Sequence, residues 1–262
     1  MKREISIFFT ALMYYTRIPC PGWVVYQESY LHQATRYFPF IGWLIGFFAG
    51  LLFLAASYLF GTALGIILSM AGSILLTGAF HEDGFADACD GFGGGWTKER
   101  ILEIMKDSRV GTYGVVGLIL ILAVKFFSLQ QMVSNSMQPL VLLLLFMTAH
   151  ALSRFVASTF LFTHTYVRLS EDSKVKPVAQ GGEKHNFFIG AALAFIPLLT
   201  LLYFTGKPLL ITVLLPLYLL KLYLGRYFTK WIGGYTGDSL GATQQVCEVL
   251  IYLTFIVLWK FT

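Results

Sequence analysis

A chain of 262 residues that is 56% hydrophobic and 13% charged, with a mean hydropathy of +0.69, has too little polar side chain to coat a soluble globule. It reads as an integral membrane protein. The formal net charge of +5 is no argument for a nucleic-acid partner, because Lys and Arg collect on the cytoplasmic loops of membrane proteins and no recognition motif accompanies them here.

The first 36 residues read as an N-terminal interfacial segment. Ile5–Tyr15 is apolar but short, and it runs into Arg17, Pro19, Pro21 and Gly22 without an A-x-A-like cleavage site. A helix at the membrane interface fits better than a cleaved signal, with Tyr14, Tyr15, Trp23 and Tyr26 at headgroup level. Apolar runs then place spans near Tyr37–Phe60, Thr62–Phe80, Val110–Val133, Pro139–Thr163, Phe187–Thr205, Pro208–Leu224 and Val246–Phe261. The expected fold is all-α and polytopic: about seven transmembrane helices plus short interfacial amphipathic helices, in one membrane-embedded domain over 1–262.

The short joins at Gly61, 134–138 and 206–207 face one side of the membrane. Lys207 and Lys260 are the only basic residues at that side. The other side collects Lys2, Arg3, Arg17, Arg36, Lys98, Arg100, Lys106, Arg109 and the basic residues of 168–184 and 226–230. That asymmetry makes the second side cytoplasmic. Cys20, Cys89 and Cys247 are scattered without a C-x-x-C and indicate neither a disulfide framework nor zinc.

The informative stretch is 81–109, a cytoplasmic acidic segment. H-E-D-G-F-A-D-A-C-D-G spaces Asp83, Asp87 and Asp90 by four and three residues, one stripe of a helix within roughly 60° of arc. Carboxylates on one stripe repel unless cations offset them or protons are taken up. Cys89 and His81 point away on the wheel, so the ligand set is oxygen only, favouring Mg²⁺ or Mn²⁺ over zinc. A solvated acidic loop is the bland alternative. Past Gly91–Gly95, which is no P-loop, Thr97 can cap a short amphipathic helix carrying Glu99 in its first turn. Glu103 and Asp107 make a second acidic pair one turn apart. Arg154 sits inside an apolar run near its cytoplasmic end, where it is either a structural ion pair or a bidentate phosphate ligand. Lys125 lies deeper, with no partner evident. Asp238 is either the N-cap of the last helix or another metal-site acid.

The same stretch resembles the signature of the cobalamin synthase family, the adenosylcobinamide-GDP ribazoletransferases. Leu102–Gly114 (L-E-I-M-K-D-S-R-V-G-T-Y-G), Ser153-Arg154, Tyr235–Ala242 (Y-T-G-D-S-L-G-A), Thr16–Pro19 and Phe38–Gly46 match as well, so the resemblance runs over nearly the whole chain. Glu82 departs from it, standing where an apolar residue is expected.

The resemblance implies a transferase of the last steps of cobalamin assembly in the cytoplasmic (inner) membrane. It would join adenosylcobinamide-GDP to α-ribazole or its 5′-phosphate and release GMP, with membrane lipid as a further partner; a homo-oligomer is left open by the sequence. In that chemistry Asp83, Asp87 and Asp90 hold the metal, and Arg109, Arg154, Lys106, Arg17 and Asp238 are candidate substrate contacts. Catalytic candidates are Asp107, Glu103 and Asp83. Asp107 is the candidate general base, by analogy with the later acidic pair of CDP-alcohol phosphotransferases. That family is the alternative identity, although its D-x-x-D-G-x-x-A-R opening is not met at Phe80 and Asp87. A cation transporter ranks third, since its acids belong inside spans.

Overall fold

The computed structural model describes residues 2–24, 27, 29–133, 138–167 and 183–261. What the sequence suggests for Tyr26, for 134–137 and for 168–182 lies outside them. Apolar runs in a bilayer must satisfy every backbone N–H and C=O internally, and the helix does so locally. Among the described residues no strand forms, and Tyr166 and Tyr235 make one isolated bridge.

The helices are α1 (Lys2–Tyr15), α2 (Ser29–Ala34), α3 (Phe38–Phe60), α4 (Thr62–Thr77), α5 (Phe80–Gly94) and α6 (Lys98–Ile104), followed by α7 (Thr112–Val133) and α8 (Pro139–Ser158). The short α9 (Phe160–Thr163) precedes α10 (Lys184–Thr205), α11 (Leu214–Ile232) and α12 (Gly237–Trp259). Six of these segments are long and apolar enough to cross a membrane, or seven if α4 and α5 count as one broken span.

That bent pair corrects the expected span Thr62–Phe80. Sixteen residues of α4 reach about 24 Å, short of a ~30 Å hydrocarbon core. Gly78 (φ 67°) and Ala79 (φ 58°) are both left-handed, and the Ala79 amide closes the turn on Ile74 O at 2.8 Å. The chain then turns by 89° into α5. Two more ends move. α11 runs on to Ile232 after a 3₁₀ turn at Pro208–Val213, and α12 begins at Gly237 rather than Val246. The last helix therefore carries Gln244, Gln245 and Glu248 within its length.

The α3–α8 pair forms the centre. Gly42 and Gly46, four residues apart on α3, lie directly on the α8 backbone, and a Cβ on Gly46 would fall 2.6 Å from Phe146 O. Small residues at that spacing let membrane helices approach until dispersion contacts hold them together. Phe53, Leu145, Leu198, Ile251 and Phe255 fill the apolar interior from α3, α8, α10 and α12. Outward, Tyr58, Ile119, Leu120, Phe127 and Tyr203 are exposed, as lipid-facing side chains are.

Candidate active site at one end of the bundle

Because α5 leaves the axis of α4 at a steep angle, it packs against the starts of two later helices. Against α12 it lies on glycine: an added Cβ on Gly84 would sit 3.1 Å from Asp238 Cα and 3.4 Å from Gly241 Cα. Against α7 it supplies Asp90. One Asp90 oxygen accepts the Gly111 amide at 2.7 Å and the other the Gly114 amide at 2.8 Å. These amides belong to the first turn of α7, whose N–H groups have no partner within the helix and whose dipole favours a negative charge there.

This decides the fit of a metal to the expected three-aspartate set. Asp90 is buried, and both its oxygens face backbone donors. No group of three or more His, Cys, Asp or Glu among the described residues is arranged to hold a metal. The cage of Asp83, Asp87 and Asp90 is thus not formed by protein alone. Asp83 is exposed and Asp87 half-buried, one turn apart on α5. Mg²⁺ is commonly held by one or two carboxylates plus substrate phosphate oxygens, and that pair fits such a role.

The short α6 follows the local rules. Thr97 accepts the Arg100 amide at 3.3 Å as N-cap, while Ile101 and Met105 bury against Gly91. Its other face opens onto a groove of about 800 Å³ that also takes in Asp90 and the residues up to Tyr113. Glu103, Lys106, Asp107 and Arg109 all line this groove. Arg100 pairs with Glu103 at 2.7 Å. Arg109 donates to Asp107 from Nε (3.1 Å) and Nη2 (2.6 Å), and its backbone amide adds a third bond at 3.1 Å. These bonds hold the Asp107 carboxyl down to about 2.

Other expected residues fall elsewhere. Arg17 is exposed beside Gly78 at the α4–α5 elbow. Asp238 is not the cap of the last helix: Thr236 is, in a reciprocal capping box with Ser239, and Asp238 sits in the first turn next to Gly84. Arg154 lies deeper in the bundle. It is 1% exposed, bonded through Nη1 to His150 O at 3.0 Å, with its guanidinium 5.8 Å from the Phe38 ring centre. It stands between helices and is not among the residues that line the groove. Arg36, one of the basic residues assigned to the cytoplasmic side, is also buried, paired with Glu4 at 2.5 Å and Asn186 at 3.3 Å.

What the sequence reading missed is the partner of Lys125. Glu248, 1% exposed, meets Lys125 Nζ at 2.5 Å and accepts from Gln244 Nε2 at 2.7 Å. The Oε2 that accepts from Gln244 also lies 3.5 Å from His150 Nδ1, while Lys125 faces Oε1. Gln245 reaches across to Glu82 Oε1 at 2.9 Å, which gives that unexpected acid a role linking α12 to α5. The signal was present: an acid inside an apolar run needs an interior partner.

The fold and the charged groove define a polytopic membrane protein whose polar chemistry gathers at the ends of its helices. The profile of the family described as Cobalamin-5-phosphate synthase matches residues 7–256, and the chain belongs to that family. A relative from Shewanella frigidimarina (strain NCIMB 400), named adenosylcobinamide-GDP ribazoletransferase, is 44% identical over 254 residues, covering 97% of this chain and 95% of that one. A second of the same name, from Shewanella amazonensis (strain ATCC BAA-1098 / SB2B), is 42% identical over 263 residues, covering 99% and 98%. No solved structure matches. These matches favour the first reading of the sequence over a CDP-alcohol phosphotransferase or a transporter.

Proposed function

We propose that this chain joins adenosylcobinamide-GDP to α-ribazole, or to its 5′-phosphate, and releases GMP. The observation that carries the reading is the near full-length match to relatives named for that activity. The groove bearing Arg100, Lys106 and Arg109 is chemically suited to a nucleotide diphosphate. By the charge asymmetry of its ends, the groove faces the cytoplasm from the inner membrane. A single cysteine at Gly95, in a background without native cysteines, stays unlabelled by an impermeant thiol reagent in intact cells. Labelling there inverts the orientation. The activity is tested by GMP release from adenosylcobinamide-GDP by the purified protein. Release should depend on added α-ribazole, and none above background would sink the reading.

In the reaction the ribazole 3′-hydroxyl attacks the cobinamide-side phosphorus, the bond to the GMP oxygen breaks, and a carboxylate takes the hydroxyl proton. Asp83 and Asp87 would hold Mg²⁺ together with diphosphate oxygens, and the bound ion supplies neutralisation of the diphosphate charge. Arg109 and Lys106 hold phosphate oxygens directly. Arg109 is already engaged by Asp107, but an exposed ion pair contributes little and a phosphate offers the fork a better acceptor.

That exchange gives Asp107 its chemistry. While Arg109 holds its carboxyl near 2, Asp107 is too weak a base to serve near neutral pH. Transfer of Arg109 to the substrate raises its basicity as the hydroxyl arrives. Asp107→Asn is expected to slow the chemical step by at least about 10²-fold while leaving adenosylcobinamide-GDP binding nearly intact. A base must be deprotonated, so the rate falls as pH drops through its pKa. The acidic limb of the kcat profile, which reports the substrate complex, should vanish in the variant. An Asn variant that keeps that limb returns Asp107 to a loop-fixing ion pair.

A further inference from the structure

Away from this groove, α8, α10 and α11 enclose a second concavity that the proposed reaction does not use. Leu152 and Val156 form its floor, Phe187 and Phe195 one wall, and Leu217 and Tyr218 the other. Its volume is about 360 Å³, within the ~300–1,000 Å³ typical of small-molecule sites. Its lining is mostly apolar, with Thr159, Thr163 and one charged residue among it. Lys221 lines it half-buried, its ammonium 5.6 Å from the Phe160 ring centre.

Among the described residues, Lys221 has no carboxylate within reach along the walls. From Gln138 to Val167, and again from Lys184 to Gly237, the chain contains no Asp or Glu at all. Around this cation the walls offer the Phe160 ring and the Thr159 and Thr163 hydroxyls, with His164 nearby. An ionisable group in a spanning helix otherwise pairs inside the protein, as Lys125 does with Glu248. The position along α11 also matters. Two and three turns beyond Lys221, Phe228 and Ile232 pack with Ile101 of α6, in the charged end of the molecule. Lys221 thus sits where the apolar bundle meets that end.

We infer that this concavity holds an acyl chain of an anionic phospholipid from the surrounding bilayer, with the lipid phosphate on Lys221. An apolar channel of this size accepts a chain. A cation with no carboxylate beside it among the described residues, at the depth where a long side chain reaches the headgroups, selects the anionic lipid over the zwitterionic one.

Native mass spectrometry of the full chain in detergent, with phosphatidylglycerol or phosphatidylcholine added, reads this out directly. Phosphatidylglycerol adducts should be retained about fivefold more than phosphatidylcholine adducts. Lys221→Gln should bring the two to parity, and Lys221→Arg should keep the preference and serve as the folding control. Val156→Phe, which fills the floor and leaves the charge, should lower retention of both lipids. sn-Glycerol 3-phosphate, which has a phosphate and no chain, should not displace the bound lipid. Equal retention of the two lipids by the parent, or an unchanged preference in Lys221→Gln, overturns the inference. Displacement by glycerol phosphate overturns it too, since the site would then be one for a free phosphate.

Discussion

Asp87→Asn is expected to keep the fold and lose at least about 10²-fold in turnover, because a carboxylate that helps hold a divalent ion against a diphosphate contributes several kcal/mol at the transition state. The substitution is nearly isosteric, so the loss reports charge rather than packing. The neighbouring acid makes the comparison informative. Asp90 lies on the same stripe of α5, yet its oxygens take the Gly111 and Gly114 amides. Asp90→Asn keeps one acceptor oxygen and turns the other into an NH₂ group facing an amide N–H. Hydrogen bonds to a charged group contribute ~1.5–3 kcal/mol each, so this variant should melt well below the parent. The two variants separate by readout. Asp87→Asn shifts the Mg²⁺ dependence of GMP release with the melting temperature near that of the parent, and Asp90→Asn does the reverse. A normal rate and unchanged Mg²⁺ dependence in Asp87→Asn would remove that residue from the ion site.

That contrast also marks how far local pattern reaches. The three-aspartate stripe was legible because a helix fixes which residues share a face, and α5 is helical over all three. What divides Asp90 from the others is a helix start more than twenty residues later, and no spacing rule carries that. The apolar runs placed the spanning helices for the same local reason. The elbow after α4 was hidden because the run L-L-T-G-A-F stays apolar through it, and only Gly78 hints at the turn. Thr97 as a cap was readable from its neighbours. Asp238 is by residue type as good a cap as Thr236, and only the reciprocal box with Ser239 decides between them. Arg154 was caught between two roles in the sequence. It is buried beside His150 and near Phe38 of α3, a setting that depends on helices distant in sequence packing together.

Three helices, α7, α8 and α12, meet at Glu248, and Glu248→Ala is expected to be the most destabilising single change in the chain. Lys125 from α7, His150 from α8, and Gln244 and Tyr252 from α12 itself all point at its carboxylate. Lys125 and Glu248 are only 4% and 1% exposed, so neither has water to fall back on. Removing one member of a buried pair typically costs about 3–5 kcal/mol, most of it from the charge left behind. The same reasoning predicts the opposite for removing both. In Lys125→Met/Glu248→Met no isolated charge remains, and apolar side chains of similar length fill the space. The double variant should therefore recover most of the stability lost by either single variant. Thermal unfolding of the four proteins in one detergent closes the cycle. Additive losses, or a Glu248→Ala protein that melts with the parent, would show that the pair is not the junction on which α7 and α12 are held. Because α5 is tied to α12 through Glu82 and Gln245, its register on Asp238 is also expected to loosen in the single variants. GMP release should then fall before the protein unfolds, and in the double variant it should return along with the melting temperature.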